Sequence, residues 1–211
     1  MQEWRDNPRF ATIIVGLAVG DRGRDYYQCH NTTPFARHVM PRNIEIKAQV
    51  DDLQSLACRA AAIADSGPVE ITQDDTFFRC QNGRLKLRAF SETAGQLIFY
   101  VRADQEGPKE SFYELSPTAS PDTLREALSQ AYGQSGRVRK HRTLFLVGRT
   151  RVHLDEVEGL GPFLELEVVL ADGDSVEAGI EEAHGLMARL GVERTQLVEG
   201  AYVDLLARQG S

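Results

Sequence analysis

The sequence has few cysteines, and they show neither a disulfide pattern nor a zinc-binding pattern. Cys29, Cys58 and Cys80 are odd in number, and no two of them have C-x-x-C spacing. This predicts a reducing compartment without structural disulfides. Zinc bound by Cys29 and His30 is disfavoured because further ligands at suitable spacing are missing. We therefore expect a cytoplasmic protein.

Long apolar runs are also missing. The longest, from Phe10 to Gly20, is shorter than the roughly 18 residues that read as a membrane span. The chain is therefore predicted to have no membrane segment. Residues 1–40 lack sustained periodicity and are interpreted as a poorly ordered extension before a domain at 41–208. Because the basic residues before position 40 are all arginine, a mitochondrial leader is an alternative, which the acidic residues there disfavour.

Positive charge is in the minority over most of the chain. The net charge is -7; positions 1–39 hold five basic and four acidic residues, and the rest holds 19 basic and 27 acidic residues. An acidic body excludes a general nucleic-acid binder, which needs positive charge against phosphates. It leaves open a small anion held by local basic residues in a cleft. The sequence has no G-x-x-x-x-G-K-[ST] and no G-x-S-x-G motif, so a P-loop and a nucleophile elbow are excluded.

The sequence does contain many short segments in which charged and apolar residues alternate. In the first, Glu45 and Lys47 share one face of a predicted strand, and Ile44 and Ile46 share the other. The same spacing, or twice it, recurs along the chain at Lys86 and Arg88, Lys140 and Arg142, Arg151 and Asp155, and Glu165 and Glu167. One such pair is typical of a solvated strand face. Five sets with both signs of charge predict faces that converge on one lumen.

The predicted elements give an α+β fold. About eight strands with short connections imply antiparallel neighbours, and eight such strands can close into a barrel around side chains or a small ligand. Four helices with apolar stripes would cover an apolar outer surface, which leaves the charged faces pointing inward. Gly67-Pro68 is predicted to end the first helix, and residues 195–208 are predicted to form the last. We therefore expect an eight-stranded closed antiparallel barrel, a tunnel with a charged lumen and flanking helices.

The candidate lumen residues form an acidic and a basic set. Carboxylates without histidine or cysteine partners favour a hard cation such as Mg²⁺ or Mn²⁺, and the acidic set is Glu45, Asp155, Glu165 and Glu167. Arginine and lysine are natural partners of phosphate, and the basic set is Lys47, Lys86, Arg88, Arg102, Lys140, Arg142 and Arg151. A solvated strand edge, or simple pairing across strands, is the alternative for each set. His141 and His153 are interpreted as structural or solvated.

Four motifs together resemble the CYTH domain of the triphosphate tunnel metalloenzymes. They are NIEIK at 43–47, QDDTFF at 73–78, GRLKLR at 83–88 and HLDEVEGLGPFLELE at 153–167. The resemblance runs from about Pro41 to Ala207. It implies a tunnel that binds a triphosphate, with the acidic set near a divalent metal, the basic set on the phosphates, and catalytic roles for Lys47, Arg151 and Glu45.

The resemblance implies several functions. Hydrolysis of a triphosphate is favoured, with ATP, thiamine triphosphate or tripolyphosphate as the substrate. A class IV adenylyl cyclase, which makes cyclic AMP and pyrophosphate from ATP, is the alternative, and a polyphosphate or nucleotide binder without activity is the third. Two departures bear on the choice. Asn43 stands where the family motif has a first glutamate. Many family members carry a basic residue just before the late tyrosine, whereas here Glu199, Gly200 and Ala201 come directly before Tyr202. The oligomeric state is left open.

Overall fold

The computed structural model describes residues 40–105 and 107–209. The predicted N-terminal extension lies outside them, apart from Met40. The eight strands are β1 Arg42–Gln49, β2 Ser66–Phe78, β3 Arg84–Ser91, β4 Ala94–Arg102, β5 Lys109–Thr118, β6 Gln134–Val147, β7 Thr150–Val157 and β8 Gly161–Leu170. The helices are α1 Leu53–Ile63, α2 Pro121–Tyr132, α3 Val176–Arg189, the 3₁₀ turn Arg194–Gln196 and α4 Tyr202–Gln209.

The strands close into one barrel. Their order around the ring is β1-β5-β4-β3-β2-β6-β7-β8, and every neighbouring pair is antiparallel. Short hairpins join β2 to β3, β3 to β4, β6 to β7 and β7 to β8, and closure leaves no strand edge unpaired. The predicted α+β fold with an eight-stranded antiparallel tunnel is confirmed.

The outer surface of β1, β7 and β8 is apolar, and α1 and α3 cover it. Ile44 and Ile46 of β1 are fully buried there, in one cluster with Leu56 of α1 and Leu186 of α3. Capping fixes where these helices begin, since Asp52 and Ser175 each accept a hydrogen bond from the main-chain nitrogen three residues later. With one face of β1 covered in this way, its alternate residues must point into the lumen.

Two predicted element boundaries were wrong. β2 begins at Ser66, so Gly67-Pro68 lies inside this strand and does not end α1. The predicted last helix is divided, because residues between the 3₁₀ turn and α4 pair with the end of β1. Val198 donates its main-chain hydrogen bond to Lys47, and Leu197 forms a bridge with Ala48. These backbone pairs with β1 replace helical hydrogen bonds, so helix resumes only at Tyr202.

One end of the lumen is closed by α4 and apolar side chains. Tyr202, at the start of α4, is buried against Phe163 with ring centroids 5.0 Å apart. Phe77, Ile98 and Val138 belong to the same cluster. No helix among residues 40–105 and 107–209 is both long and apolar enough to cross a membrane.

Candidate active site in the barrel lumen

The predicted site residues meet inside the barrel. All seven members of the basic set line one cavity, and so do three of the four acidic residues, Glu45, Glu165 and Glu167. Asp155 lies behind the cavity wall and is fully buried. The lumen and its mouth, with the open solvent between them, leave about 1020 Å³ unfilled. The structure therefore brings the two predicted sets together, with Asp155 in a different position from the other carboxylates.

Strand register explains why the charges converge. Glu45 lies opposite Glu167, and Lys47 lies opposite Glu165, across the β1–β8 pair. Arg151 lies opposite Glu167 across the β7–β8 pair. Side chains directly opposite in an antiparallel pair share one face and stand within contact distance. A period-two charge pattern on several strands therefore becomes one three-dimensional cluster.

Asp155 holds two cations of β6. Arg142 donates two hydrogen bonds to its carboxylate, both of 2.6 Å, and Lys140 donates one of 2.8 Å. Tyr202 donates a fourth through its hydroxyl at 3.0 Å. Burial would raise the pKa of Asp155, but Arg142 and Lys140 hold that pKa well below its ordinary value. With four donors on two oxygens, Asp155 orients cations and has little capacity left for a metal ion.

Asp75 of β2 holds two cations of β3 in the same way. Lys86 donates to this carboxylate at 2.8 Å, and Arg88 donates twice at 2.7 Å. Burial would raise the pKa of Asp75, yet Arg88 and Lys86 lower it far below its ordinary value. Phe77 and Tyr100 lie on either side of the Lys86 ammonium, with centroids at 5.5 and 5.7 Å. Asp75 was not among the predicted site residues, although its alternation with Gln73 and Phe77 was a usable signal.

Lys47 lies at the closed end of the lumen. Its ammonium is 4.1 Å from the centroid of the Tyr202 ring, 3.4 Å from Glu165 and 3.3 Å from the carbonyl oxygen of Gly200. Burial lowers the pKa of Lys47, and Glu165 only partly offsets this. Burial, reinforced by Arg142, also lowers the pKa of Lys140 to about 8. For both lysines the effect of burial outweighs that of the neighbouring carboxylate.

Glu45 pairs with Arg102, which also donates to the Gly200 carbonyl at 3.1 Å. Opposite Glu45 on β5 stands Lys109, a buried lysine that the sequence patterns did not single out. Burial, and then Arg102, lower the pKa of Lys109 to about 8. Its ammonium donates to the Gln105 carbonyl at 2.9 Å. Lys109 therefore adds positive charge behind this wall.

His153 stands between Glu165 and Glu167. Its Nδ1 atom is 3.9 Å from Oε2 of Glu165 and 3.8 Å from Oε1 of Glu167. One ligand atom from each of the three residues lies within 4.8 Å of the other two. Glu167 also pairs with Arg151 at 2.7 Å. His153 was predicted to be structural or solvated, but it lines the cavity.

The lumen carries more positive than negative charge. Its cations are the seven members of the basic set, and the carboxylates that face or hold them are Glu45, Asp75, Asp155, Glu165 and Glu167. Seven cations against five anions leave a formal surplus of two. Each of the seven cations lies within salt-bridge distance of one of these carboxylates, but five carboxylates can neutralise only five of the seven positive charges. The surplus sits inside a chain whose net charge is -7.

A family profile for the CYTH domain matches residues 41–202. The chain belongs to the CYTH domain family. It is similar to the adenylate cyclase CyaB of Aeromonas hydrophila, with 25% identity over 170 residues that cover 77% of this chain and 87% of the relative. The family membership confirms the resemblance found in the sequence.

Solved structures show the same fold. A protein from Pyrococcus horikoshii superposes with a TM-score of 0.68 at 19% identity, covering 78% of this chain and 99% of that one. A protein from Pyrococcus furiosus superposes with a TM-score of 0.67 at 18% identity, covering 77% and 99%. At this level of identity the similarity extends to the fold alone.

This CYTH domain departs from the family motif at Asn43, which the structure places in the lumen. Asn43 is buried, lines the cavity, and its Oδ1 atom has no hydrogen-bond partner among the described residues. It lies opposite Ser111, a neutral residue, across the β1–β5 pair. An amide at this position supplies one negative charge fewer than a glutamate would. The catalytic, phosphate and metal roles of the individual residues remain predictions.

Proposed function

We propose that the lumen binds the phosphate chain of a triphosphate together with a divalent metal ion, and that the protein hydrolyses the terminal phosphoryl group. The observation that carries this is the convergence of seven cations, four of them buried and three partly buried, from five of the eight strands on one cavity. Arginine forks and lysine ammoniums bind phosphate oxygens, and a polyphosphate supplies several such oxygens in a row. Membership of the CYTH family supports the same class of ligand.

The lysine pKa values support an anionic ligand. Burial lowers the pKa of Lys47, Lys86 and Lys140, so these ammoniums are held at a cost. A bound polyanion would offset that cost and restore the charged forms. A cavity that served only to pack ion pairs would gain nothing from a formal surplus of two positive charges. Preorganised positive charge of this kind also stabilises negative charge that develops during phosphoryl transfer.

Glu165, Glu167 and His153 are the residues that best suit a divalent ion. Their ligand atoms face one another, and Nδ1 of His153 is a buried polar atom without a hydrogen-bond partner among the described residues. When bound, a divalent ion would polarise a phosphoryl oxygen and make a bound water more acidic. The predicted Mg²⁺ or Mn²⁺ is consistent with the two carboxylates. Glu165 and Glu167 each pair with an arginine, as do Asp155 and Glu45, but only the two β8 glutamates converge on His153.

The remaining residues divide the work on the substrate. Arg88 and Arg142, each held by an aspartate, present their guanidinium groups to the phosphate chain. Lys47 and Arg151 would stabilise the negative charge of the transferred phosphoryl group. Glu45, held by Arg102, would orient the attacking water. Closure of one end by Tyr202 limits the water that reaches the site, which strengthens each electrostatic contact.

An adenylyl cyclase is the second candidate, because the relative at 25% identity carries that name. The same lumen would then hold ATP so that its ribose 3′-hydroxyl attacks the α-phosphate. Purified protein should be incubated with ATP, thiamine triphosphate and tripolyphosphate, each with Mg²⁺ or Mn²⁺, and the products separated by chromatography. Orthophosphate release supports the hydrolase, and cyclic AMP with pyrophosphate supports the cyclase. Saturable binding without any product would leave only the binder, and no binding would refute the proposal.

A further inference from the structure

His153 is a buried side chain whose inward nitrogen is unsatisfied. It lies on β7 between Arg151 and Asp155, and only 3% of it is exposed. Nδ1 has no hydrogen-bond partner among the described residues. The nearest carboxylate oxygens, at 3.8 and 3.9 Å, are beyond hydrogen-bond distance. A core histidine normally satisfies such an atom, so its position between two carboxylates needs another explanation.

The distances from Nδ1 of His153 to the two carboxylates suit a bound metal ion better than a hydrogen bond. With bonds of about 2.1 Å, two ligand atoms of one metal stand about 3.0 Å apart at a right angle and about 4.2 Å apart when opposite. The distances from Nδ1 to Glu165 and Glu167 lie between these limits. All three ligand atoms lie within 4.8 Å of one another. An ion among them requires only small side-chain movements.

We propose that Nδ1 of His153 is a direct ligand of the divalent ion in the lumen, beside one oxygen from each of Glu165 and Glu167. This rests on the metal site of the proposed function and adds the identity of its third protein ligand. Mg²⁺ takes an oxygen shell and keeps its waters, whereas first-row transition ions accept imidazole nitrogen. The site therefore prefers Mn²⁺ to Mg²⁺, and His153 accounts for the preference.

The test uses the full chain, stripped of metal, and two matched histidine variants. His153→Gln removes the proposed ligand, and His141→Gln removes an exposed imidazole that contacts Glu70 on the outer face of β6. Mn²⁺ binding is followed by electron paramagnetic resonance, and Mg²⁺ binding by calorimetry. Electron spin-echo modulation of the bound Mn²⁺ then reports whether a nitrogen is coordinated.

We expect nitrogen modulation in the wild type and in His141→Gln, and none in His153→Gln. Since loss of a residue that only supports a ligand costs about 10–100-fold in metal affinity, loss of the ligand itself should weaken Mn²⁺ binding at least about tenfold. Mg²⁺ affinity should change less, so the preference for Mn²⁺ should fall. Circular dichroism establishes whether each variant is folded. The modulation measured on the wild type decides the question even if His153→Gln fails to fold.

The outcomes separate this inference from the function on which it rests. If wild-type protein binds Mn²⁺ without nitrogen modulation, and Glu167→Gln weakens that binding, the site has only oxygen ligands. The inference is then overturned, and the proposed metal site survives. If neither Glu165→Gln nor Glu167→Gln alters Mn²⁺ binding, the metal part of the proposed function fails as well. Equal Mn²⁺ affinity and equal modulation in wild type and His153→Gln would also overturn the role of His153.

Discussion

Replacing Asp155 with asparagine separates a structural from a metal-binding role for this carboxylate. The sequence patterns placed Asp155 with the metal-site carboxylates, but in the structure it accepts hydrogen bonds from Arg142, Lys140 and Tyr202 and is fully buried. Asparagine has nearly the same volume, so the change removes charge and one acceptor without opening a cavity. We expect Asp155→Asn to destabilise the fold and to leave Mn²⁺ affinity within a few-fold of the wild type.

The expected loss of stability follows from the two buried cations that remain in Asp155→Asn. Arg142 and Lys140 have side chains only 5% and 3% exposed, and without Asp155 they lose their main counter-charge. Breaking a buried ion pair in this way costs about 3–5 kcal/mol. Arg142 keeps its contact with Glu165 at 2.6 Å, which places the expected loss near the lower end. For a chain of this size, about 3 kcal/mol corresponds to a drop of roughly 6–12 °C in melting temperature.

The assay is urea unfolding of wild type, Asp155→Asn and Glu167→Gln, with Mn²⁺ binding measured on the folded proteins. Glu167 is the matched control because its side chain is 18% exposed and Arg151 is its one lysine or arginine salt-bridge partner among the described residues. Glu167→Gln should cost less stability and weaken Mn²⁺ binding strongly. The reasoning is refuted if Asp155→Asn unfolds within about 1 kcal/mol of the wild type and loses Mn²⁺ affinity, since Asp155 would then be a ligand.

Three further predictions concern acid stability, proton uptake and substrate binding. Because the pKa of Asp155 is lowered on folding, the wild-type protein should lose stability as the pH falls below about 4. The urea midpoint, measured from pH 6 to pH 3, should change less for Asp155→Asn than for the wild type. Lys140, with a pKa of about 8, should take up a proton when a triphosphate binds at pH 8–9. The binding enthalpy should therefore differ between two buffers that have unlike ionisation enthalpies, and equal enthalpies would contradict this. Arg88→Ala should raise the KM for a triphosphate about tenfold or more, whereas Arg139→Ala, at an exposed position, should leave the KM unchanged. If the KM of Arg88→Ala is unaltered, Arg88 is not part of the phosphate site.

The direction in which the strands face could be predicted from the sequence. Alternation of charged and apolar residues in β1, β3 and β8 assigns each side chain to one of two faces, and helices with apolar stripes must cover the apolar one. Lys47, Arg88 and Glu165 could therefore be placed in the lumen before their partners were known. This works because the side-chain period of a strand is fixed at two, whatever its neighbours are.

The partners of those charges could not be predicted in the same way. Whether a carboxylate binds a metal or an arginine depends on which residue stands opposite, and therefore on strand order and register. Asp155 faces Arg142 because β6 and β7 pair with that offset. Lys109 and His153 were missed for a related reason. Lys109 has no charged neighbour two positions away, so periodicity alone gave no signal. His153 has the period-two spacing to Arg151 and Asp155, but a single histidine on a charged face does not by itself indicate a ligand.

The lumen contains one arrangement twice, and this explains why its carboxylates have different roles. Lys86 and Arg88 on β3 are held by Asp75 on β2, and on the next two strands of the ring Asp155 on β7 holds a second Lys-x-Arg pair, Lys140 and Arg142 of β6. A guanidinium that is already oriented by a buried carboxylate loses little freedom when it meets a phosphate. The two aspartates therefore belong with the phosphate-facing cations. In the proposed function, the glutamates of β8 are then the carboxylates that hold the metal.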